Sequence, residues 1–457
     1  MEITRVYLAG NSYFSEAKIY ELTSTPKEKL TNSDAIDIFI KTILDLYLAN
    51  GFLFAQIQLF IDEEDRTSTI SILEGKRVSI TNYVFQGNKI SRDLALLKIS
   101  NLKSVQTITP RLMQDAERRI TSKQYISSCN ILPVNEQTLL INVQEDRMTY
   151  LSALLGYVNN KEQRSKLTGF IDAHVLNIFG SDRSLSIAWK QLPTDLRAVS
   201  LQYHESGPLN ISLAGNISFA REERDSTSTS SQVEMDLYYY FDVHKLGILA
   251  GFQGLYPGSR RPALLVQQKE KNLGLFWEGD WTDDFFNPHT GWRIYLQQSM
   301  LFVTKENHSL RRNKTEFRIG QFTSLGKSLV LANTITGRQI ENKSLTYYDL
   351  YAVGGAFSLR GFLENQYAGD SVLYTNTELR YQLTRTARIF LFVDYGYLED
   401  NRPEFQNQFY DLLGLGFGMR FDTKIGLLRI DYGVHQAEGK WLNPMQGIVH
   451  FGIEMGF

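Results

Sequence analysis

The sequence predicts two small α+β units, each in the order strand, helix, helix, strand, strand (βααββ), followed by an all-β, sixteen-stranded antiparallel transmembrane barrel. Three observations predict it. Apolar residues alternate with small or polar ones through most of residues 148–457, the period of a strand with one apolar face. Aromatic residues and glycines gather in the same part: residues 1–147 hold 12 of the 56 aromatics and 4 of the 33 glycines, and the remainder holds 44 and 29. Finally, the succession of strand and helix signals in the first 147 residues occurs twice.

Composition excludes several classes. The 457 residues carry a net charge of −2, with 43% hydrophobic and 21% charged residues, and the mean hydropathy is −0.25. The chain has no uninterrupted apolar run of the roughly 20 residues that a membrane helix needs. A barrel is not excluded, because its strands need an apolar residue only at alternate positions. The charge balance offers no basic field for nucleic acid. Cys129 is the single cysteine. It can form no intrachain disulfide and anchors no metal cluster, and few free thiols suit an oxidising compartment. No charged and then apolar leader precedes Ile3. Either the chain stays in the cytoplasm or its export signal is absent from this numbering.

Residues 1–76 make the first expected unit. Residues 3–8 alternate as a strand and stop at Ala9-Gly10-Asn11. Residues 15–23 and 33–49 read as helices. The second carries Ile36, Phe39, Ile40, Ile43, Leu44 and Tyr47 on one face at spacings of three and four, and Asn50-Gly51 closes it. Phe54–Ile61 and Thr69–Leu73 are strand-like runs around the polar turn Glu63-Glu64-Asp65-Arg66. Residues 77–147 repeat the order. Val78–Phe85 is a strand ending at Gly87-Asn88, Leu94–Ile99 and Pro110–Ser122 are helices, and Ser127–Leu132 and Thr138–Val143 are closing strands. The strand ending in Gly-Asn, the helix end from Tyr47 to Phe52 and the Leu73-Glu74-Gly75 link resemble the POTRA (polypeptide-transport-associated) module. A small α+β domain duplicated for another binding task has the same pattern.

Residues 148–457 make the barrel. Val449, Phe451, Ile453, Met455 and Phe457 are apolar between His450, Gly452, Glu454 and Gly456. Leu415, Phe417, Met419 and Phe421 alternate with Gly414, Gly416, Gly418 and Arg420 in the same way. A soluble sandwich would bury such rows against each other, whereas a membrane barrel turns them to lipid. Sixteen alternating segments begin near Met148, Arg164, Arg183, Ala198, Leu209, Gln232, Leu246, Lys271, Gly291, Lys314, Ser328, Ser371, Ala387, Asp411, Lys424 and Gly447. The spacing suits tilted spans of about 9–11 residues with short turns and longer loops. Arg221–Ser231 and Glu399–Gln408 are expected to be outer loops. The terminal Phe457, closing an alternating strand, resembles the assembly signal of outer-membrane barrels.

The longest interruption, roughly Tyr347–Asp370, contains Gly354-Gly355-Ala356-Phe357-Ser358-Leu359-Arg360-Gly361-Phe362. The segments Asn376–Arg380, Phe392–Gly396, Gly414–Arg420 and Leu428–Gly433 follow it, and Asn287-Pro288-His289-Thr290-Gly291 precedes it. Together these resemble the BamA/TamA outer-membrane assembly superfamily, whose sixth loop carries a Val/Ile/Leu-Arg-Gly-Phe/Tyr tetrad, here Leu359, Arg360, Gly361 and Phe362. Parity alone puts Leu373, Leu379, Tyr381 and Leu383 outward and Glu378 inward. It likewise puts Ile389, Leu391, Val393 and Tyr395 outward and Asp394 inward. A loop entering the lumen would bring the planar fork of Arg360 to these two carboxylates. The resemblance implies that pairing; the alternative is a surface turn with a solvated arginine.

The seven histidines show no ligand spacing. There is no phosphate-binding loop or nucleophile motif, so neither metal, cofactor nor enzymatic activity is expected. The resemblance implies a protein-assembly or translocation factor in the outer membrane of a Gram-negative-type bacterium or a related organelle, with its POTRA units in the periplasm. It would take unfolded outer-membrane or secreted client chains on POTRA strand edges and at a lateral seam between Met148–Asn159 and Gly447–Phe457. Periplasmic or lipoprotein accessory subunits are further implied partners. A two-partner secretion transporter with one dedicated client ranks second, and a passive porin third.

Overall fold

The computed structural model describes residues 5–454 apart from 27–29, 31, 63–64, 103–106, 159–165, 192–195, 208–211, 225–226, 242, 261–264, 306–307, 342, 403–407, 424–425, 438–439 and 442–443. The chain forms two compact units, Met1–Asp146 and Arg147–Phe457.

The first unit holds two βααββ modules. One comprises β1 (Arg5–Ala9), α1 (Glu16–Thr23), α2 (Ser33–Ala49), β2 (Gln56–Asp62) and β3 (Thr67–Leu73). The other comprises β4 (Asn82–Gln86), α3 (Asp93–Ser100), α4 (Pro110–Thr121), β5 (Ile126–Asn135) and β6 (Thr138–Glu145). The sheets have the same plan, β1-β3-β2 and β4-β6-β5, each with one parallel and one antiparallel pair. Asn32 caps α2 and Thr109 caps α4, each side chain accepting a backbone N–H of the first turn. Ile36, Phe39, Ile43 and Tyr47 of α2 are buried with Ile70 and Ile72 of β3.

The two modules repeat at the level of atoms. Gly10 and Gly87 have φ of +80° and +86°, and a Cβ on either would strike the carbonyl of Ile72 or Val143. Asn11 and Asn88 each donate through Nδ2 to the carbonyl three residues on, at 3.0 Å. A glutamate near the end of each module then accepts the loop's N–H groups: Glu74 from Tyr13 at 2.8 Å, and Glu145 from Lys89 at 2.9 Å and Ser91 at 2.7 Å. Burial alone would raise the Glu145 carboxyl; the hydrogen bonds from Ser91, Ile90 and Lys89 outweigh it and hold it below the usual carboxylate range. The expected strand from Val78 starts only at Asn82. Val78 is fully buried and donates its N–H to Gly51 at 2.8 Å, so this stretch joins the modules instead of extending the sheet.

The second unit is a sixteen-stranded antiparallel sheet. Its strands are β7 (Thr149–Val158), β8 (Lys166–Ile178), β9 (Arg183–Gln191), β10 (Leu196–Glu205), β11 (Leu213–Arg224), β12 (Ser228–Phe241), β13 (His244–Pro257), β14 (Gln268–Asp280), β15 (Gly291–Lys305), β16 (His308–Ser324) and β17 (Leu329–Ile340). A long connection follows, with the short hairpin β18 (Tyr351–Val353) and β19 (Tyr367–Gly369). Then come β20 (Ser371–Gln382), β21 (Arg388–Asp400), β22 (Gln408–Thr423), β23 (Gly426–Ala437) and a last strand in two pieces, β24 (Lys440–Trp441) and β25 (Ile448–Glu454). The order is that of a barrel, with the last strand standing next to the first; among the described residues no residue-by-residue register joins them.

Outward rows such as Val233, Met235, Leu237 and Tyr239, or Leu273 and Leu275, are exposed. An apolar belt open to the surroundings is what lipid covers. No described helix is long and apolar enough to cross a membrane, so the spans are strands. One expected loop is corrected. Arg221–Ser231 is mostly ladder: Arg221 pairs with Ser231, and pairing runs on to Arg224 opposite Ser228. Backbone pairing continues past the apolar belt because it does not need apolar side chains.

Candidate functional site

The connection between β17 and β20, residues 341–370, is the sixth of the loops that join odd strands to the next. Its tip is folded locally first. Gly354, Gly355 and Gly361 have φ of +115°, +96° and +88°, the left-handed region that favours glycine. The Gly354 N–H donates to Ser358 Oγ at 2.8 Å, and the Gly355 N–H to the Leu359 carbonyl at 3.0 Å. Asn376 on β20 holds the Ser358 carbonyl at 2.7 Å. This turn presents Leu359–Phe362 to the inner wall.

Arg360 is 2% exposed, Glu378 8% and Asp394 0%. The guanidinium grips Asp394 with two bonds of 2.7 Å, from Nε to Oδ2 and from NH2 to Oδ1, and the Arg360 backbone N–H adds a third at 2.9 Å. NH1 reaches Glu378 at 2.5 Å. Arg380 balances the other oxygen of Glu378 at 2.7 Å. The Arg360 guanidinium lies 3.9 Å from the Phe392 ring centroid, a cation–π contact in a desolvated place. Leu359 and Phe362 are fully buried with Val353, Val372, Tyr374, Leu398 and Leu412. The structure thus brings six of the seven sequence-selected residues together. The seventh, Phe457, lies outside the described residues.

The wall is shaped to receive the loop backbone. A Cβ on Gly414 would strike the Arg360 carbonyl, and one on Gly433 would come within 2.8 Å of the Gly361 nitrogen. A Cβ on Gly396 would come within 2.5 Å of Leu359. A second charge group sits beyond these glycines. Asp431 accepts from Arg420 at 2.7 Å and from Arg429 at 2.8 Å, and Arg429 also donates to the Ala356 carbonyl.

Sequence reasoning missed a further anchor. Asp349, in a short 3-10 turn at Tyr347–Asp349, meets Arg312 at 3.0 Å, Lys305 at 3.5 Å and Gln268 at 2.7 Å. Arg312 is fully buried and also donates to the Lys343 and Ser344 carbonyls at 2.8 and 2.7 Å. The only available signal was inward parity on β16, and the polar run Arg311–Lys314 hides it.

No group of His, Cys, Asp and Glu suited to a metal ion occurs among the described residues. What the site does chemically is hold a backbone. Its acids are matched by arginines.

An antiparallel membrane barrel of sixteen strands with an arginine-pinned internal loop, preceded by POTRA-like α+β modules, defines a class of outer-membrane transport protein. Residues 199–456 match the Omp85 superfamily domain, and the chain belongs to the Omp85 superfamily. Among solved structures it is similar to BamA from Haemophilus ducreyi lacking POTRA domains 1–3, with 15% identity, a TM-score of 0.55 and 99% of this chain and 98% of that one covered. It is also similar to CdiB from Escherichia coli, with 12% identity, a TM-score of 0.57 and 99% and 88% covered. CdiB from Acinetobacter baumannii gives 14% identity, a TM-score of 0.53 and 96% and 88% covered. At these identities the likeness is one of fold, shared by outer-membrane assembly factors and two-partner secretion transporters. The chain is 28% identical over 144 residues to outer envelope protein 39 of the Arabidopsis thaliana chloroplast, covering 28% of this chain and 38% of that protein. These relatives point to an outer membrane or envelope.

Proposed function

We propose that this protein inserts client chains into an outer membrane, receiving them on the edges of its POTRA-like sheets and releasing them through a lateral seam between β7 and β25. The observation that carries this reading is the interruption of the last strand by the 3-10 turn Pro444–Gln446 between β24 and β25. Among the described residues β24 pairs with β23 at two positions and β25 at seven, Ile448 to Glu454. An interrupted strand beside the first one is the place where a client strand could be templated by main-chain hydrogen bonds, which tolerate many sequences. The edge strands support the first step. β2 and β5 are sheet edges, and Phe60, Ile61, Leu132 and Val134 on them are exposed. In this reading the modules face the periplasm, accessory subunits are recruited there, and no catalytic group is required.

The test is depletion of the protein, followed by quantitation of outer-membrane and secreted proteins. Loss of many barrel proteins supports insertion. Loss of one secreted protein alone replaces this reading with dedicated export through the pore. Cysteine pairs across the seam, between β7 and β25, should crosslink and stop insertion until reduced. Full activity of a quantitatively crosslinked protein rules out gating there.

A further inference from the structure

The sixth-loop tip extends past its arginine anchor to the last strand. Glu378 is on β20, Asp394 on β21, Gly414 on β22 and Gly433 on β23; the Arg360 side chain reaches Glu378, and the loop backbone touches Asp394, Gly414 and Gly433 in turn. The next contact is on β25. The Gly361 N–H donates to His450 Nε2 at 3.3 Å, and the Gly361 carbonyl is held by His435 Nδ1 on β23 at 2.5 Å. Phe362 stacks on the His435 ring with centroids 4.3 Å apart.

The backbone of one residue, Gly361, therefore fixes two imidazoles, one through each of its two peptide groups. An N–H only donates, so His450 must present a lone pair at Nε2. A carbonyl only accepts, so His435 must carry its proton at Nδ1. The two bonds differ in what they join. His435 ties the loop to β23, a strand paired along its length with β22. His450 ties it to β25, the piece of the interrupted last strand that stands next to β7.

We propose that His450 is a positioning residue that latches β25 to the sixth loop, so that opening the seam requires breaking the Gly361–His450 bond. The latch rests on the reading of β7 and β25 as a seam. Arg360 holds the loop to β20 and β21; Gly361, its neighbour in sequence, then passes that fixed position to the seam strand. Protonating His450 would remove the accepting lone pair and add a cation close to Arg360 of the loop and Arg429 of β23. Asp431, directly opposite His450 on β23, and Glu364 of the loop would partly offset that charge.

The test is a distance measurement on the full chain in lipid nanodiscs. Spin labels are placed at Leu151 on β7 and Val449 on β25, both of which point outward and are exposed, with Cys129→Ser to leave no other thiol. His450→Phe keeps a planar aromatic ring and removes the acceptor. It should raise the separated population about tenfold, equivalent to about 1.4 kcal/mol. His450→Gln, whose amide oxygen accepts, should stay close to the parent. Should His450→Phe fail to give a folded, heat-modifiable barrel, the parent at acidic pH takes its place: it should shift toward separation, and His450→Gln should not. Identical distance distributions for the parent and His450→Phe, or an equal acid response in parent and His450→Gln, overturn the latch. A distance response without any dependence of client insertion on the seam overturns the insertion reading and leaves the latch standing.

Discussion

Arg360→Ala is the perturbation with the most to say, because its partners are not left equally exposed to the loss. The substitution removes three charge-assisted bonds, two to Asp394 and one to Glu378. Glu378 keeps Arg380 at 2.7 Å. Asp394 is fully buried and retains the backbone N–H of residue 360. Removing one partner from a buried pair costs about 3–5 kcal/mol, against about 0–1 for an exposed pair. With the arginine at 2% exposure and Asp394 at 0%, the buried figure applies. The strand ladders do not depend on this pair, so the barrel should fold and the loss should fall on the loop. Hydrogen exchange of residues 354–366 in the full chain reads it directly, because local opening equilibria set the rates. Those amides should exchange faster by roughly 10²- to 10³-fold or more. Arg360→Lys should recover part of the protection, since an ammonium cannot reproduce the two-pronged grip. Asp394→Asn should loosen the same peptide, and the double variant should cost less than the sum of the two. Unchanged exchange in Arg360→Ala, or strict additivity with Asp394→Asn, would show that the pair does not hold the loop.

Three further outcomes are expected. Arg312→Met should speed exchange around residues 343–350 while leaving residues 354–366 protected, because Asp349 and Arg360 anchor separate limbs of the loop; simultaneous loss in both limbs would refute independent anchors. Gly433→Ala should displace the loop tip and deprotect Gly361, since its Cβ would lie 2.8 Å from that nitrogen, whereas Gly452→Ala, with nothing within 4 Å among the described residues, should match the parent. The Glu145 carboxyl, held low by the Lys89–Ser91 amides, contributes stability that is present above its unfolded pKa of about 4.3 and is lost as pH falls through the lower folded value; the 89–91 amides should therefore lose protection below that window, and Glu145→Gln should flatten the dependence.

Most of the barrel was legible in the sequence because lipid imposes a period. Wherever one face meets hydrocarbon, apolar residues must recur at every second position, and each of the sixteen expected segments coincides with a strand. The same parity put Glu378 and Asp394 inward, and the tetrad supplied the arginine that meets them. Legibility failed where lipid stops imposing that pattern. Above the belt both faces of a strand are wet, so Arg221–Ser231 carries no alternation and read as a loop, although its backbone pairs. Arg312 was hidden for the same reason. It lies in the polar stretch Arg311–Lys314, and its burial depends on Asp349, 37 positions later and in an irregular loop. His435 and His450 show another limit. Each sits on an inward face, which parity shows, but their partner is the backbone of Gly361, and no side-chain pattern records where a loop's backbone will lie.

The loop's contacts are graded in strength. At Asp349 and at Asp394 the loop is held by buried ion pairs whose rupture strands a charge away from water, a cost of several kcal/mol. At His450 it is held by one hydrogen bond to a neutral ring, whose net contribution is about 0.5–1.5 kcal/mol. Under any strain that pulls the last strand from its neighbours, the weakest of these yields first. In the proposed mechanism the seam strand can therefore detach and return while the loop stays seated on β20 and β21. The arginine pair acts as the fixed post and the histidine as the release. A chain with the strengths reversed would lose its loop from the lumen each time the seam opened, and with it the surface against which the strand must close.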